Sequence, residues 1–511
     1  MKRRLLRSIY LLGIVFFLSS CGMDPSTEII TTIGVQLNPT GVAPLTAQIT
    51  LTTSVPVSAE VIVEGRRGLE SNLVQVFPEF GRDLNIPVLG LYANYSNDVT
   101  LNLLDASGNI LVTRGFRFQT DSLIADMPEI RIDKADPARM EPGFNFVNYF
   151  GFDDIFNPQR PFIFDQYGDI RWYIDFTSHP SLVTLFYDNG MFRMENGNLV
   201  FGDGNTASVY EMDMLGNIVR SRQLDGAGFH HQVMEIPNGN VLVTVNDYSK
   251  QTKEDVIFEL DWDNGGNTIH SWDLNQSLDN SRRAWPTDLA DLNVDWFHAN
   301  GLAYDETDKT LIVSGRTQGT VKLTYNNQVV WILAPHRDWG TSGSGIDLKQ
   351  FLLQPLDAQG NPITDPAVLD GTVNHSDFEW PWYQHSPEIM PNGNILLFDN
   401  GDNRNYTGQE LYSRAVEYKI DEEKMTIQQV WDYGKERGEE TYARIVSRVS
   451  YYPSTNNVIF TPGRSYENGN PVGKIVEINK DTDEVVFEAS IFPPQGLFDI
   501  TFHNARRGRL Y

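Results

Sequence analysis

Three histidines that could do chemistry share one position in a repeated sequence pattern. His385 precedes the turn signal Pro391-Asn-Gly-Asn394 by six residues, and His231 precedes Pro237-Asn-Gly-Asn240 by the same spacing. His298 opens a looser copy of the pattern. Asn-Gly between two apolar runs favours a tight turn that joins antiparallel strands. The sequence therefore predicts three imidazoles at corresponding ends of three strands.

Convergent imidazoles permit two chemistries. Three histidines and a water can hold a catalytic zinc ion, but the chain contains no H-x-H or H-E-x-x-H pair. In the alternative, a neutral imidazole attacks an anionic substrate, a protonated one supplies the leaving group's proton, and a cation holds the developing charge. Arg316, in Ser314-Gly-Arg316-Thr-Gln318 after His298, is the candidate cation. A guanidinium there would oppose a metal ion.

The repeats also predict the fold that brings these histidines together. Weaker copies of the inner hairpin, without histidine, occupy 189–201 and 447–460. Outer hairpins alternate with them and begin at Phe162, Val209, Ile257, Val321, Val416 and Ile475. Two hairpins form a four-stranded blade, and blades close into a ring whose channel is lined by their first strands. We predict an all-β chain whose residues 126–511 form a six-bladed β-propeller, rather than a β-sandwich of similar length, with the three histidines at one end of its channel.

A different pattern occupies the part of the chain before the propeller. Apolar and polar residues alternate there, as they do in strands with one solvated face, at 47–52, 59–64, 98–104 and 108–118. The pattern predicts a small immunoglobulin-like β-sandwich over residues 22–125. A proline-rich connector at 127–143 leads into the first blade.

The first residues predict export. Residues 1–7 are cationic, and the apolar run 9–18 is too short to serve as a stable membrane anchor. Leu18-Ser-Ser-Cys21 resembles the bacterial lipoprotein signal, whereas the alternative is an ordinary cleavage site beside an incidental cysteine. We expect a signal peptide over residues 1–21, lipidation of Cys21, and an exported protein that is lipid-anchored in the cell envelope, on the periplasmic side of a membrane, in the outer membrane or at the cell surface. Cys21 is the only cysteine, so no intrachain disulfide can form.

The charge balance limits the partners. The chain carries 67 acidic against 40 basic residues, a net charge of −27. Such a field repels nucleic acid and gives no steering toward anionic membranes, so we expect membrane contact by the lipid anchor only. An anionic substrate would need a local cationic pocket.

Several longer motifs resemble the bacterial arylsulfate sulfotransferases. They include Asp295-Trp-Phe-His298-Ala-Asn300, Ser314-Gly-Arg316-Thr-Gln318, Gln384-His385, Phe398-Asp-Asn-Gly-Asp402 and Gln428-Gln-Val-Trp-Asp-Tyr-Gly-Lys-Glu-Arg-Gly438. Ile86-Pro-Val-Leu-Gly-Leu-Tyr92 resembles their N-terminal immunoglobulin-like domain. The resemblance covers both predicted domains.

The resemblance implies sulfuryl transfer from an aryl sulfate donor to a phenolic acceptor, by a ping-pong route and without 3′-phosphoadenosine 5′-phosphosulfate. His385 falls on the family's nucleophile, which becomes a sulfohistidine. His231 and His298 match its substrate-binding histidines, Arg316 matches the arginine that holds sulfate oxygens, and Asn300 lies in the same motif as His298. We assign His298 proton transfer to and from the phenol oxygen as a hypothesis. No metal or other cofactor is expected.

The sequence departs from the family's pattern at two small residues. The family's H-x-N-S reads His298-Ala-Asn-Gly301 here, and its S-S-R reads Ser314-Gly-Arg316, so two hydroxyls near the site are lost. Two rival functions stay open, an aryl sulfatase that uses water at the same site and a non-catalytic ligand-binding propeller. A homodimer is a possible assembly.

Overall fold

The computed structural model describes residues 29–150, 159–186, 188–283, 287–494 and 499–511. Strands dominate these ranges. In chain order they are β1 (Ile30–Leu37), β2 (Ala47–Val63), β3 (Leu73–Val88), β4 (Ser96–Leu104), β5 (Ile110–Gln119), β6 (Glu129–Ala135), β7 (Phe144–Phe150), β8 (Phe162–Phe164), β9 (Ile170–Tyr173), β10 (Phe192–Arg193), β11 (Leu199–Asp203), β12 (Ser208–Met212), β13 (Ile218–Gln223), β14 (Ala227–Glu235), β15 (Val241–Asp247), β16 (Val256–Leu260), β17 (Thr268–Asp273), β18 (Ala299–Asp305), β19 (Thr310–Gly315), β20 (Gly319–Leu323), β21 (Val329–Leu333), β22 (Gln354–Leu356), β23 (His385–Ile389), β24 (Ile395–Asp399), β25 (Arg414–Asp421), β26 (Thr426–Tyr433), β27 (Arg448–Tyr452), β28 (Asn457–Thr461), β29 (Ser465–Glu467), β30 (Asn470–Asn479), β31 (Val485–Phe492) and β32 (Thr501–Gly508).

Helices are few and short. The α-helices are α1 (Leu274–Ser277) and α2 (Pro366–Leu369), and the 3₁₀-helices are Leu69–Ser71, Leu348–Phe351, Arg404–Tyr406 and Lys435–Glu440. Across the described ranges, none of the helices has the length and apolar character needed to cross a membrane.

The chain folds into two compact units. The described part of the first comprises residues 29–39, 46–88 and 95–119, and the second comprises 40–45, 89–94 and the described residues from 120 onward. In the first unit the five strands form one sheet in the order β1-β2-β4-β5, with β3 also paired to β2. Residues 47–52 of β2 lie between β1 and β3, and residues 57–63 lie between β3 and β4. The segments predicted as separate strands at 47–52 and 59–64 are therefore parts of one long, irregular strand.

The second unit is a series of sheets whose strand pairs are antiparallel except for the parallel pair of β22 and β26. Their orders are β10-β11-β12-β13, β14-β15-β16-β17, β18-β19-β20-β21, β22-β26-β25-β24-β23, β27-β28-β30-β31-β6 with β29 on β30, and β32-β7-β8-β9. All six predicted outer hairpins are present as antiparallel pairs. The first strands of neighbouring sheets contact one another, as β14 and β18 do. The predicted all-β, propeller-like fold is confirmed.

Several strands of this unit were not expected from local pattern, β6 and β32 among them. The predicted connector at 127–143 contains β6, which adds to the sheet edge at β31. The last strand, β32, pairs with β7, so residues more than 300 positions apart in the chain share one sheet. Neither pairing involves a hairpin turn, and turn residues were the signal that identified the other strands.

The repeated Asn-Gly-Asn turns also have a structural role. In four sheets an asparagine of the inner hairpin donates a side-chain hydrogen bond to a buried glutamate on the next strand of the sheet. The pairs are Asn198–Glu211, Asn240–Glu259, Asn394–Glu417 and Asn457–Glu477, at 2.5–2.7 Å. Because a buried carboxylate is costly unless it accepts hydrogen bonds, each turn and its glutamate stabilise one another.

Candidate active site

Each predicted histidine lies at an irregularity of its strand. The register of β14 with β15 shifts between Phe229 and Val233, and His231 there has a φ of 51°. The register of β23 with β24 shifts just after His385. His298, with a φ of 58°, immediately precedes β18, whose register shifts at its own start. A bulge bends a strand and redirects its side chains, so the repeated position is a repeated bulge.

The bulge in β14 corrects the expectation for His230. Strict strand alternation would send His230 and His231 to opposite faces, which predicts from the sequence that His230 points into the blade. Instead the two imidazole centroids are 3.7 Å apart, and His230 Nε2 lies 2.9 Å from Glu254 Oε1. His230 therefore belongs to the histidine cluster.

Sequence reasoning missed a fifth histidine, His503, to which it assigned no reactive role. The His503 ring centroid lies 4.8 Å from that of His231 and 6.3 Å from that of His385. It is carried by β32, whose register with β7 also shifts, between Phe502 and Ala505. No turn signal follows β32, which is why the repeat was not recognised. The Phe-His dipeptide, at 229–230, 297–298 and 502–503, was the available signal.

His231 and His298 form a hydrogen-bonded pair. Their Nε2 atoms are 2.8 Å apart. His231 Nδ1 contacts a carboxylate oxygen of Asp188, and His298 Nδ1 contacts Glu254 as well as Asp295, the latter at 2.7 Å. Asp295 accepts a hydrogen bond from His298 Nδ1, whereas the contact of His231 Nδ1 with Asp188 does not have hydrogen-bond geometry. One of the two Nε2 atoms must donate its proton to the other, so the pair shares a proton between its Nε2 atoms.

The neighbouring charges and the burial decide which imidazole of the pair has the higher pKa. Burial and the neighbouring histidines His230 and His298 lower the pKa of His231 well below its usual value. Burial and the Arg316 guanidinium also lower the pKa of His298, but the Glu254 and Asp295 carboxylates outweigh them and raise it. His298 is therefore the imidazole of the pair that holds an extra proton more readily, and when it is protonated its Nε2–H donates to His231.

His385 is held in one neutral tautomer. Its Nδ1 lies 2.7 Å from Asn400 Oδ1 and 3.1 Å from the Tyr383 carbonyl oxygen. Asn400 Nδ2 donates to two other carbonyls, those of Ala443 at 2.7 Å and Val446 at 3.0 Å, so its oxygen must face the imidazole. His385 Nδ1 thus carries the hydrogen, and Nε2 keeps a free lone pair.

Burial, supported by the charges of Arg316 and His298, outweighs the hydrogen bond to Asn400 and lowers the pKa of His385 to about 3. The imidazole is neutral at physiological pH. It is 2% exposed and lines one cavity together with His231, Asn300 and His503. The site therefore combines a neutral imidazole, which can act as a nucleophile, with a second imidazole whose raised pKa suits it to donate a proton.

Arg316 and Asn300, beside these imidazoles, each have a polar atom without a hydrogen-bond partner among the described residues. Arg316 Nη2 lies 3.7 Å from Asp295 Oδ2, and its Nε has no hydrogen-bond partner among the residues that the structure describes. Asn300 Nδ2 donates to the Gln384 carbonyl at 2.9 Å, whereas its buried Oδ1 likewise lacks a described partner. Buried polar groups are normally satisfied, so both side chains have room to contact a bound ligand.

Comparison with known proteins assigns the family. The arylsulfotransferase model matches residues 129–493, and the model of the arylsulfotransferase Ig-like domain matches residues 34–120. The chain is 30% identical to the arylsulfate sulfotransferase AssT of Escherichia coli O6:H1, covering 89% of each protein. It is 28% identical to arylsulfate sulfotransferase AssT of Lelliottia amnigena, covering 92% of each. The chain belongs to the arylsulfotransferase family. The predicted family and the predicted immunoglobulin-like domain are confirmed. The prediction that the chain is an enzyme is confirmed with the family.

Packing in this arylsulfotransferase explains its two glycine departures. A Cβ atom on Gly301 would lie 2.6 Å from Pro387 Cδ and 2.9 Å from the Ser386 backbone nitrogen. A Cβ atom on Gly315 would lie 2.4 Å from the Phe297 ring. Real Cβ atoms almost never approach so closely, so the strands around the site are packed for glycine at both positions.

The site also contains groups that could hold a metal ion. Two groups of side chains each bring one ligand atom per residue within 4.8 Å of one another. The first group is His230, His231, Glu254 and His298, and the second is Asp188, His231 and His503. Metal binding would compete with the proton on His298, because a metal ligand must be an unprotonated nitrogen. The expectation that this arylsulfotransferase needs no metal stays a prediction. Cys21 lies outside the described residues, so its lipidation also stays a prediction.

Proposed function

We propose that this arylsulfotransferase transfers a sulfuryl group from an aryl sulfate to a phenolic acceptor through a sulfohistidine at His385. The observation that carries the proposal is the tautomer of His385. Asn400 accepts from Nδ1, the imidazole is neutral because its pKa is about 3, and Nε2 is left as a nucleophile. A histidine with a purely structural role would not require an Nε2 atom that is both fixed in position and free of hydrogen bonds beside a second imidazole that can donate a proton.

The first half-reaction forms the covalent intermediate. The Nε2 lone pair of His385 forms a bond to sulfur as the bond between sulfur and the aryl oxygen breaks. The proton shared by His298 and His231 moves to the departing oxygen, and the donor leaves as a phenol. Protonation matters because phenolate is a poorer leaving group than phenol, and a positioned acid typically contributes 10²–10⁴-fold.

The second half-reaction reverses these steps with a different phenol. The acceptor gives its hydroxyl proton to the His231–His298 pair, its oxygen attacks sulfur, and the bond between sulfur and His385 breaks. Both half-reactions pass through a sulfuryl group with negative oxygens. We assign stabilisation of this negative charge to Arg316, whose Nε is an unsatisfied donor, and contact with the phenol hydroxyl to Asn300, whose unsatisfied Oδ1 is an acceptor. A preorganised donor such as Arg316 acts without reorganising during the reaction.

The test is the release of p-nitrophenolate from p-nitrophenyl sulfate, with and without added phenol. We expect phenol-dependent release in the native enzyme and none in His385→Ala. His375→Ala is the matched control, because His375 lies outside the cluster and should leave activity unchanged. Mass spectrometry of donor-treated enzyme, quenched without acceptor, should place an added sulfuryl group on the peptide that contains His385. Turnover in His385→Ala, or modification of another residue, would refute the proposed nucleophile.

Hydrolysis at the same site is the second candidate function. An aryl sulfatase would release p-nitrophenolate equally well without phenol and would produce inorganic sulfate. The donor-binding groups are nearly enclosed, with His385 at 2%, His298 at 7% and Arg316 at 8% exposure. Exclusion of water protects a reactive intermediate from hydrolysis, so the burial favours transfer. Quantifying sulfate and phenyl sulfate in the same reaction separates the two functions.

We also propose that the protein is exported and held in the cell envelope by a lipid on Cys21. The support is the sequence Leu18-Ser-Ser-Cys21 after a cationic and apolar start. Metabolic labelling with a fatty acid should mark the native protein but not Cys21→Ser. The variant should also move from the membrane to the soluble fraction. Equal membrane association of both would refute the anchor. Light scattering of the protein without its signal segment distinguishes a monomer from a homodimer.

A further inference from the structure

A second cavity in the propeller-like unit contains none of the histidines. Aromatic side chains and four arginines line it, and we call it the arginine cavity: Phe146, Phe162, Trp172, Phe192, Arg193, Arg506, Arg507 and Arg509. Its volume is about 220 Å³. An apolar cavity of about 150 Å³ is large enough to bind benzene. The arginine cavity can therefore hold one aromatic ring together with a substituent.

Two of these arginines, Arg193 and Arg506, lack carboxylate partners among the described residues, whereas Arg507 Nη2 lies 3.4 Å from Glu477 Oε2. Arg193 makes one side-chain hydrogen bond, from Nη2 to the Leu510 carbonyl at 3.3 Å, and its Nη1 is buried without a partner. Arg506 Nε is likewise buried and unsatisfied. Burial, the only cause, lowers the pKa of Arg193 to about 10. This contrasts with Arg404, which is fully buried and lies 3.0 Å from Asp399.

The two guanidinium groups share the same aromatic neighbours. Arg506 is the cross-strand partner of Phe146, and the Arg193 guanidinium lies 5.8 Å from the centre of the Phe146 ring. The Arg506 guanidinium lies 4.7 Å from the centre of the Phe192 ring. Two cations with common neighbours and without counterions are unfavourable in a region of low polarity. An anion bound in the cavity would relieve this cost.

From these contacts we infer that the arginine cavity is a second, non-catalytic binding site for a monocyclic aromatic anion, with its ring among the phenylalanines and its charged group at Arg193 and Arg506. The arginines select for charge, and the aromatic walls select for an arene over inorganic sulfate. Asn148, Phe192, Asn504 and Arg506 also line the cavity beside His385, so the second site adjoins the catalytic one. The inference does not depend on sulfuryl transfer, because binding alone is claimed.

The probe is 4-fluorobenzenesulfonate, whose sulfur is bonded to carbon and cannot be transferred, observed by ¹⁹F NMR and by calorimetry with the full chain. The native protein should bind two equivalents. Arg316→Met should weaken one site, and Arg193→Met should weaken the other by about tenfold or more, as loss of a charge-assisted hydrogen bond does. Arg117→Met, which removes one exposed cation from the first unit, is the matched control and should change neither site.

Two further arms make the result decisive. Ile163→Phe, which fills the cavity and removes no charge, should abolish the same site that Arg193→Met weakens, with thermal melts confirming that both variants fold. 4-Fluorobenzoate should compete for that site, and neutral 4-fluorophenol should not. Binding of a single equivalent by the native protein, or two unchanged equivalents in folded Arg193→Met, would overturn the inference. Failure of sulfuryl transfer in the p-nitrophenyl sulfate assay would leave these binding results unaffected.

Discussion

The hydrogen bond between Asn400 and His385 allows a prediction that separates charge from tautomer. Asn400→Asp places a carboxylate where the amide oxygen now lies, 2.7 Å from His385 Nδ1. An opposite charge at such a distance raises the pKa of a histidine by about 1–3 units. Since the native pKa is about 3, the variant should titrate at roughly 4–6. The protonated imidazole cannot attack sulfur, so activity is lost as pH falls through this pKa.

The magnitude follows from the neutral fraction of the nucleophile. At pH 5 native His385 is almost entirely neutral, whereas an imidazole with a pKa of about 6 is neutral in roughly one molecule in ten. The profile of kcat/KM against pH, measured for p-nitrophenyl sulfate, reports groups in the free enzyme. Its acidic limb should move toward neutral pH in Asn400→Asp. At higher pH the difference from the native enzyme should shrink.

Asn400→Leu provides the contrasting change, because it removes the hydrogen bond and adds no charge. The variant should lose activity at every pH without moving the acidic limb, by about 1–3 kcal/mol, which corresponds to roughly 5–150-fold in kcat/KM. Asn468→Asp, at an exposed turn, is the control for an added carboxylate and should leave the profile unchanged. An acidic limb that stays in place in Asn400→Asp would refute the proposed tautomer and environment of His385.

Three other outcomes are expected. Glu254→Gln removes a carboxylate that raises the pKa of His298, so the basic limb of kcat/KM, which falls as His298 loses its proton, should move to lower pH; an unmoved limb would remove His298 as the acid. Gly301→Ser should lower the free energy of unfolding by about 1–3 kcal/mol, because it overpacks the contact with Ser386 and Pro387; a denaturant titration with Gly115→Ser, in β5 where a Cβ atom would meet open space, as control checks this, and equal stability of the two variants would contradict it. Dialysis against EDTA should leave turnover unchanged, and loss of activity that Zn²⁺ restores would make the histidine and carboxylate cluster a metal site.

Local turn chemistry made much of the fold predictable. Asn-Gly turns and alternating strands gave the hairpins, and the spacing of His231 and His385 from those turns placed them at one position. Strand pairings without a turn could not be recognised in this way, so β6 and β32 were missed, and His503 with them. These pairings form between distant parts of the chain, where only the folded sheet decides which edge is open.

The electrostatic setting of the site was also beyond sequence reasoning. Asp188 and Glu254 follow no repeat, yet they contact His231 and His298. The bulge at His231 overrode the alternation that would have separated it from His230. A bulge depends on how a strand fits its partner, and the pattern of apolar residues does not record it. The residue types were therefore predictable, whereas their protonation required coordinates.

The pairing of β32 with β7 determines when, during synthesis of the chain, the site can form. In a chain that has emerged only as far as β31, His231, His298 and His385 are already present, but β7 is paired on one side only, with β8, and Asp188 has no His503 beside it. Contacts between residues so far apart are slow to form because a long loop must close first. Synthesis must therefore proceed past β32 before the five imidazoles can assemble. The proposed nucleophile is in this way withheld from phenolic and sulfated compounds until the fold around it is complete.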